Sequence, residues 1–120
     1  MYCYNRIKEQ ILFSKSYIWR QSLEEAYRLN QNRQNRVLGG MLWLKMGNGN
    51  VNTAIDLCGL GLDTIQETRE QFAIGAMVSL RQIELHEGLN AYTRGAAAAA
   101  VRDIVGVQFR NLATAGGSIW

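Results

Sequence analysis

The chain has 120 residues, a hydrophobic content of 48% and a formal net charge of +3. These values are typical of one globular domain or a part of one, and they exclude a disordered chain. Its Lys and Arg residues are scattered singly rather than in a basic run, so we interpret them as a solvated surface and predict no nucleic-acid partner.

Two segments before residue 40 predict regular structure. Residues 22–25, Ser-Leu-Glu-Glu, have the spacing of a capping box, in which a serine and a glutamate three residues later cap each other's backbone. They predict a helix over residues 23–30. Its buried stripe is expected to comprise Leu23, Ala26, Tyr27 and Leu29. Residues 36–38 predict a short buried strand, which ends at Gly39 and Gly40.

The middle of the chain alternates between short elements and glycine turns. Residues 41–46 predict a helical turn, and residues 47–50, Gly-Asn-Gly-Asn, predict a loop. A second strand is expected over residues 52–57. Residues 62–67 and 71–75 alternate like strands about a polar turn, which predicts a β-hairpin.

The last part of the chain is mostly helical in pattern. Residues 79–82, Ser-Leu-Arg-Gln, form a second capping box, which predicts a helix to about His86. Residues 89–105 form the longest helical pattern, and their five consecutive alanines, 96–100, are expected to pack closely because the side chain is small. Residues 118–120 predict the start of a strand, from which we expect a truncated chain.

The residues that usually carry chemistry are few. Two cysteines without CxxC spacing and one histidine exclude the usual zinc and iron–sulfur sites, and we expect free thiols. His86 is expected on the surface, and Asp56 is expected to cap a turn. No transmembrane helix or signal peptide is predicted, so we expect no membrane partner and a cytoplasmic location.

Two Gly-Gly pairs are the strongest candidates for a site. They occur in Leu38-Gly-Gly-Met-Leu42 and in Ala115-Gly-Gly-Ser-Ile119. Glycine lets backbone N–H groups approach an anion, and successive amides form a concave nest for phosphate oxygens. One such pair more often makes only a tight turn, whereas two of them favour a phosphate site. The Rossmann fingerprint and the Walker A pattern are absent.

Five segments, in chain order, resemble the FAD-binding domain of molybdenum hydroxylases, the family of xanthine dehydrogenases and of the carbon monoxide dehydrogenase medium subunit. The resemblance covers roughly residues 20–120, and its most specific part is the last segment. The segments are SLEEA (22–26), GGMLW (39–43), IDL (55–57), IGA (74–76) and QFRNLATAGGSI (108–119).

The resemblance implies an α+β fold, the N-terminal portion of a vanillyl-alcohol-oxidase-type (PCMH-type) FAD-binding domain. A small α/β subdomain is expected over about residues 20–62, and the start of a second mixed subdomain over 63–120, with FAD between them. Both glycine segments are expected to hold the FAD pyrophosphate. The expected cofactor-binding residues are the amides of Leu38, Gly39, Gly40, Met41 and Leu42, then Thr114, Gly116, Gly117 and Ser118, with Ile104 touching the adenine.

The family role that the resemblance implies is electron relay in a xanthine dehydrogenase-like enzyme. Molybdopterin-binding and [2Fe-2S] subunits or domains would deliver electrons to FAD, which passes them to an acceptor such as NAD. This chain departs from the family pattern where Met41 and Leu42 replace Thr and Asp, and where Ser118 replaces Asn. Because the family's contacts to the flavin ring follow residue 120, the site is expected to be incomplete and the chain alone inactive.

Two alternatives stay open at this point. The chain could be a non-catalytic remnant of a FAD domain, which would bind no flavin. It could instead be an unrelated α+β module for another phosphate ligand, in which the two glycine segments would lie far apart.

Overall fold

The computed structural model describes residues 14–19, 22–46 and 49–119. The chain divides into two compact units, each with its own set of contacts. The first unit comprises Met1–Leu38 and Trp43–Leu60, and the second comprises Gly39–Leu42 and Gly61–Trp120. The four residues from Gly39 to Leu42 therefore belong with a part of the chain that begins nearly twenty residues later.

The first unit contains a parallel three-stranded sheet. Its strands are β1 (Ser14–Trp19), β2 (Arg36–Leu38) and β3 (Val51–Asp56), with β3 in the centre of the order β1-β3-β2. A central strand of a parallel sheet is covered on both faces, and β3 is accordingly buried from Thr53 to its end at Asp56. The strands predicted over residues 36–38 and 52–57 are confirmed as β2 and β3.

Helix α1 (Leu23–Asn30) begins where the sequence predicts it. The Ser22 hydroxyl accepts a hydrogen bond from the Glu25 amide at 3.2 Å, as in a capping box. The predicted buried stripe is wrong in part, because Leu23 is 50% exposed and Tyr27 is 69% exposed, while Ala26 is buried. This helix contacts β2 and β3, and Leu29 of the predicted stripe is half-buried.

The prediction for β2 needs a similar correction. Leu38 is buried, but Arg36 and Val37 are exposed, so the strand is not buried throughout. A short helix, α2 (Leu42–Met46), follows the glycine pair as predicted. Of the loop predicted at 47–50, the first two residues lie outside the described part of the chain.

The second unit begins with the predicted β-hairpin. Strands β4 (Ile65–Glu67) and β5 (Phe72–Ile74) pair antiparallel, and they are shorter than the alternating pattern suggests. Five short helices follow along the chain. They are α3 (Leu80–Leu85), α4 (Glu87–Tyr92), α5 (Ala96–Arg102), α6 (Val107–Arg110) and α7 (Ala115–Ile119).

The capping box at the start of α3 is complete. The Ser79 hydroxyl accepts from the Gln82 amide at 3.1 Å, and the Gln82 side chain accepts from the Ser79 amide at 2.8 Å. Helix α3 packs against α5, and Leu80 of α3 forms a buried cluster with Val101 and Ala113. This cluster is the apolar core of the second unit.

The long helix predicted over residues 89–105 is wrong, since the chain breaks between α4 and α5. Arg94 and Gly95 have left-handed backbone, with φ of 53° and 82°, which no α-helix continues through. The Asn90 side chain fixes the break: its amide group donates to the Glu84 carbonyl at 2.9 Å, and its oxygen accepts from the Ala98 amide at 2.8 Å. Glycine at position 95 is the sequence signal for this break.

The alanine run lies in α5, but only part of it is packed. Ala97 and Ala98 are half-buried, whereas Ala96, Ala99 and Ala100 are exposed. Close packing is therefore confirmed for one face of the run, the face that α3 and α4 contact.

The end of the chain is helical, so the strand predicted at 118–120 is wrong for the residues described. Thr114 precedes α7, and its hydroxyl accepts from the Gly117 amide at 3.2 Å, which is the geometry of a helix N-cap. Ile119 is 87% exposed, and Trp120 lies outside the described residues. Within the described ranges, no helix is both long enough and apolar enough to cross a membrane.

Candidate functional site

The two glycine segments lie side by side in the second unit. A Cβ atom at Gly40 would overlap with the carbonyl oxygen of Leu112 and would lie 3.1 Å from the Ala113 nitrogen. A Cβ atom at Gly39 would lie 2.9 Å from the Thr114 hydroxyl. Glycine is therefore required at position 40 for the chain to touch the backbone of Leu112 and Ala113, just before the second glycine segment. Gly117 of that segment also lies beside the Thr114 hydroxyl, since a Cβ atom there would be 3.0 Å from it. The predicted proximity of the two segments is confirmed.

The Gly39–Leu42 segment, hereafter the glycine loop, has free backbone donors. Among the described residues, none of the hydrogen bonds outside helices and strands is donated by Gly39, Gly40 or Met41. Met41 adopts left-handed backbone with φ of 59°, which is unusual for a residue with a side chain. Successive unbonded amides that lead into a left-handed residue are a feature of anion-binding nests.

The second glycine segment has a different structure from the one its sequence suggests. Gly116 and Gly117 are not a turn between elements but lie in the first turn of α7. The Gly116 amide donates to the Ala76 carbonyl at 2.8 Å, and the Ser118 amide donates to the Thr114 carbonyl at 3.0 Å. The amides of this segment therefore have partners within the protein.

The same segment is paired with the chain before α3. Ala115 donates to the Val78 carbonyl and Leu80 donates to the Ala113 carbonyl, each at 2.8 Å, on either side of a bridge between Ser79 and Thr114. This ladder makes residues 113–116 a rigid platform. The glycine loop contacts that platform at Ala113 and Thr114.

The remaining predicted site residues fall into two groups. Leu38 ends β2 in the first unit and is buried, so its contribution would come from its backbone. Leu42 and Ile104 are half-buried, and both pack against the core cluster of Leu80, Val101 and Ala113. Ser118 is exposed on α7.

An ion-pair network next to this platform was missed by sequence reasoning. Glu84 of α3 accepts from Arg110 at 2.9 Å and pairs with Arg81 at 2.9 Å, and the Arg110 side chain is only 7% exposed. The hydrogen bonds from Arg81, and then from Arg110, hold the pKa of Glu84 below its ordinary value. Arg110 belongs to the QFRN part of the last segment of the family resemblance, and its ion pair with Glu84 links α6 to α3. Only the tertiary contact shows this role, since an arginine is usually an exposed residue.

Two other polar side chains act as backbone caps. Asp56 is 1% exposed and accepts from the Cys58 amide at 2.9 Å, so the predicted turn-capping role is confirmed. His86 is not merely a surface residue: its Nδ1 accepts from the Leu89 amide at 3.1 Å and so caps α4, and Phe72 packs edge-on against its ring. Across the described residues, no three His, Cys, Asp or Glu side chains form a group that could hold a metal ion, and Cys58 is in no disulfide.

These residues fit the diphosphate of a dinucleotide. Among the described residues, the amides of Gly39, Gly40 and Met41 have no hydrogen-bond partners outside helices and strands. A Cβ atom at either glycine of the loop would come too close to residues 112–114. The platform supplies a buried hydroxyl at Thr114 and the exposed Ser118 side chain. No charged side chain belongs to either segment, so recognition there rests on backbone dipoles.

Comparison with known proteins identifies a matching family, and the solved structures that match belong to related enzymes. The family model described as "FAD binding domain in molybdopterin dehydrogenase" matches residues 11–120. A search of curated protein sequences found no match. The resemblance inferred from the sequence is confirmed by the family match.

Solved structures with the same fold include two carbon monoxide dehydrogenases and a quinoline 2-oxidoreductase. Carbon monoxide dehydrogenase from Hydrogenophaga pseudoflava is 27% identical with a TM-score of 0.76, over 87% of this chain and 38% of that one. The Oligotropha carboxidovorans carbon monoxide dehydrogenase is 25% identical with a TM-score of 0.75, over 85% and 38%. Quinoline 2-oxidoreductase from Pseudomonas putida 86 is 20% identical with a TM-score of 0.75, over 87% and 38%, which shows the fold alone. The predicted α+β fold class is confirmed, and this chain spans 38% of the length of each of these structures.

Proposed function

Because the chain belongs to the family of FAD binding domains in molybdopterin dehydrogenases, we propose that its glycine loop binds the pyrophosphate of FAD in a xanthine dehydrogenase-like enzyme. The observation that carries this proposal is the row of unbonded amides at Gly39, Gly40 and Met41, seated on the Leu112–Thr114 backbone. A pyrophosphate carries its charge on oxygens that accept such hydrogen bonds.

The proposed contacts divide between the two segments. The first provides backbone donors from Leu38 to Leu42. The second lines the site with Thr114, Gly116, Gly117 and Ser118, and because its amides already have partners in the protein, we expect Ser118 to contribute its side-chain hydroxyl. Ile104 is proposed to contact the adenine. When bound, FAD supplies the redox chemistry, and the protein supplies binding and orientation.

The proposed partners are the molybdopterin-binding and [2Fe-2S] subunits or domains of the same enzyme, with an acceptor such as NAD. Support comes from the relatives, which include a Cu,Mo-containing carbon monoxide dehydrogenase. We also propose a cytoplasmic location, and a boundary between two subdomains near residue 62 of the chain. The division of the structure after Leu60 supports the latter.

We further propose that these residues alone form an incomplete flavin site and an inactive fragment. The chain spans 38% of the matched structures, and no aromatic residue stands at positions 38–42 or 114–119. A flavin site without an aromatic wall for the isoalloxazine ring would lack several kcal/mol of burial at about 25 cal/mol per Å². An unrelated phosphate module is disfavoured, because it predicts distant glycine segments, whereas Gly39 and Gly117 both lie beside the Thr114 hydroxyl.

A ligand series tests the proposal. We expect weak FAD binding by fluorescence titration, with ADP competing for the same site and riboflavin not competing, because the loop recognises the diphosphate. Tight, stoichiometric FAD binding would show that the site is complete. Competition by riboflavin but not by ADP would place the site elsewhere, and the absence of all binding would favour the non-catalytic remnant.

A further inference from the structure

Both neighbours of Met41 are fixed to the second unit. Gly40 lies against the Leu112 carbonyl, and Leu42 packs its side chain against Leu80, Val101 and Ala113. The next residue, Trp43, belongs to the first unit, so Leu42 is the last point at which the glycine loop is attached to its platform. The loop is thus held at both ends, by a backbone contact and by an apolar side chain.

Met41 has strained backbone between these two attachments. Left-handed φ is unfavourable for a residue with a Cβ atom, and such conformations persist only where the surrounding structure determines them. Nothing within the loop supplies that determination, because no hydrogen bond outside helices and strands is donated by its first three residues among those described. On the C-terminal side of Met41, the half-buried side chain of Leu42 packs against the core cluster.

We propose that Leu42 is a positioning residue, which holds Met41 in the left-handed conformation and so keeps the amides of the glycine loop ready for a diphosphate. The role belongs to the side chain of Leu42, in addition to any donation by its amide. The identity of the ligand rests on the proposed function, whereas the conformational claim about Met41 does not.

The central experiment compares Leu42→Ala with Val101→Ala. Both substitutions remove apolar contact from the same cluster, but only the first is in the loop. Two properties are measured in each variant: ADP and FAD affinity by titration, and the φ angle of Met41 by its NMR amide–α coupling. We expect Leu42→Ala to move the coupling toward ordinary φ and to weaken ADP roughly tenfold, as follows if the competent conformation falls to about a tenth of the population. Val101→Ala removes only a part of the surface on which Leu42 packs, so it should lower the melting temperature and change the Met41 coupling and the ADP affinity clearly less than Leu42→Ala.

A double-mutant cycle separates positioning from general destabilisation. Met41→Gly removes the cost of left-handed backbone, so the loss of affinity caused by Leu42→Ala should be clearly smaller in that background. Leu42→Met, which keeps an apolar side chain of similar volume, should restore the coupling and the affinity.

Three results would overturn the inference. They are an unchanged Met41 coupling in Leu42→Ala, an equal loss of affinity in Val101→Ala, and losses from Leu42→Ala that are the same with methionine or glycine at position 41. If the parent protein binds neither FAD nor ADP, the proposed function fails, and the Met41 coupling still decides whether Leu42 sets the loop conformation.

Discussion

Gly40→Ala is the substitution on which the geometry of the candidate site depends most directly. The new Cβ atom would overlap with the Leu112 carbonyl oxygen and would lie 2.5 Å from the Leu112 carbonyl carbon. Neither atom can move aside easily, because Leu112 and Ala113 both donate backbone hydrogen bonds to Phe109 of α6, at 3.0 and 2.8 Å. The glycine loop must therefore lift away from its platform.

The expected magnitude follows from the cost of inserting a methyl group into a packed contact, about 1–3 kcal/mol. At roughly 4 °C per kcal/mol for a chain of this size, the melting temperature should fall by about 4–12 °C. Displacing the loop also separates its amides from their positions on the platform, so affinity for ADP should fall at least about tenfold, equivalent to 1.4 kcal/mol.

Two other glycines provide a graded control for thermal melting and ADP titration. A Cβ at Gly39 would meet only the Thr114 hydroxyl, a side-chain atom at 2.9 Å, so Gly39→Ala should cost less. A Cβ at Gly49 would meet nothing within 4 Å, so Gly49→Ala should leave both measurements within error of the parent. If Gly40→Ala melts and binds like Gly49→Ala, the contact between the two glycine segments does not exist in solution and the argument for the site fails.

Three further substitutions test the second unit. Glu84→Gln removes a carboxylate whose pKa is lowered in the folded state, so its stabilising effect is present at neutral pH and is lost as pH falls through the folded-state pKa. The free energy of unfolding in urea should therefore differ between variant and parent at pH 7, and the two values should converge in acid. A difference that stays constant with pH would refute the role of the Arg110 pair. Ala98→Leu overpacks the half-buried face of α5 and should lower the free energy of unfolding by about 1–3 kcal/mol, whereas Ala99→Leu on the exposed face should leave it unchanged. Equal melting temperatures of the two variants would contradict the observed packing. Ser79→Ala removes one bond of the capping box and should lower unfolding free energy by about 1 kcal/mol, with Ser79→Asp as the variant that retains a cap; no difference between the two would show that the cap is not used.

Local signals in the sequence determined the beginnings of elements. The capping boxes at Ser22 and Ser79 each place a helix start correctly, because the bonds that form them join residues three apart and need no distant partner. The hairpin over β4 and β5 follows from alternation about a polar turn for the same reason. The final QFRNLATAGGSI segment carried the family resemblance without any structure.

Local signals in the sequence did not predict features of the structure that depend on burial or on contacts between residues further apart. Leu23 and Tyr27 of α1 have the spacing of a buried stripe but are exposed, because only the position facing β2 and β3 is covered. Residues 89–105 have continuous helical character, and the break at Arg94 and Gly95 is fixed by the Asn90 side chain, whose partners lie six and eight residues away. Hydrophobic periodicity predicts helices and strands but contains no information about such a side-chain contact.

The candidate site shows the same division. The sequence by itself identified both glycine pairs as the places where backbone amides approach a phosphate, since only glycine permits that approach. The tertiary structure decided that the two pairs have different roles: the amides of Gly116 and Gly117 are bonded within the protein, whereas those of Gly39 and Gly40 make no such bonds among the described residues. It also decided that Leu42 belongs to the core of the second unit and that Arg110 is buried against Glu84. These outcomes depend on which segments the fold brings together, and hydrogen-bond partners far apart in the chain leave no local pattern from which to predict them.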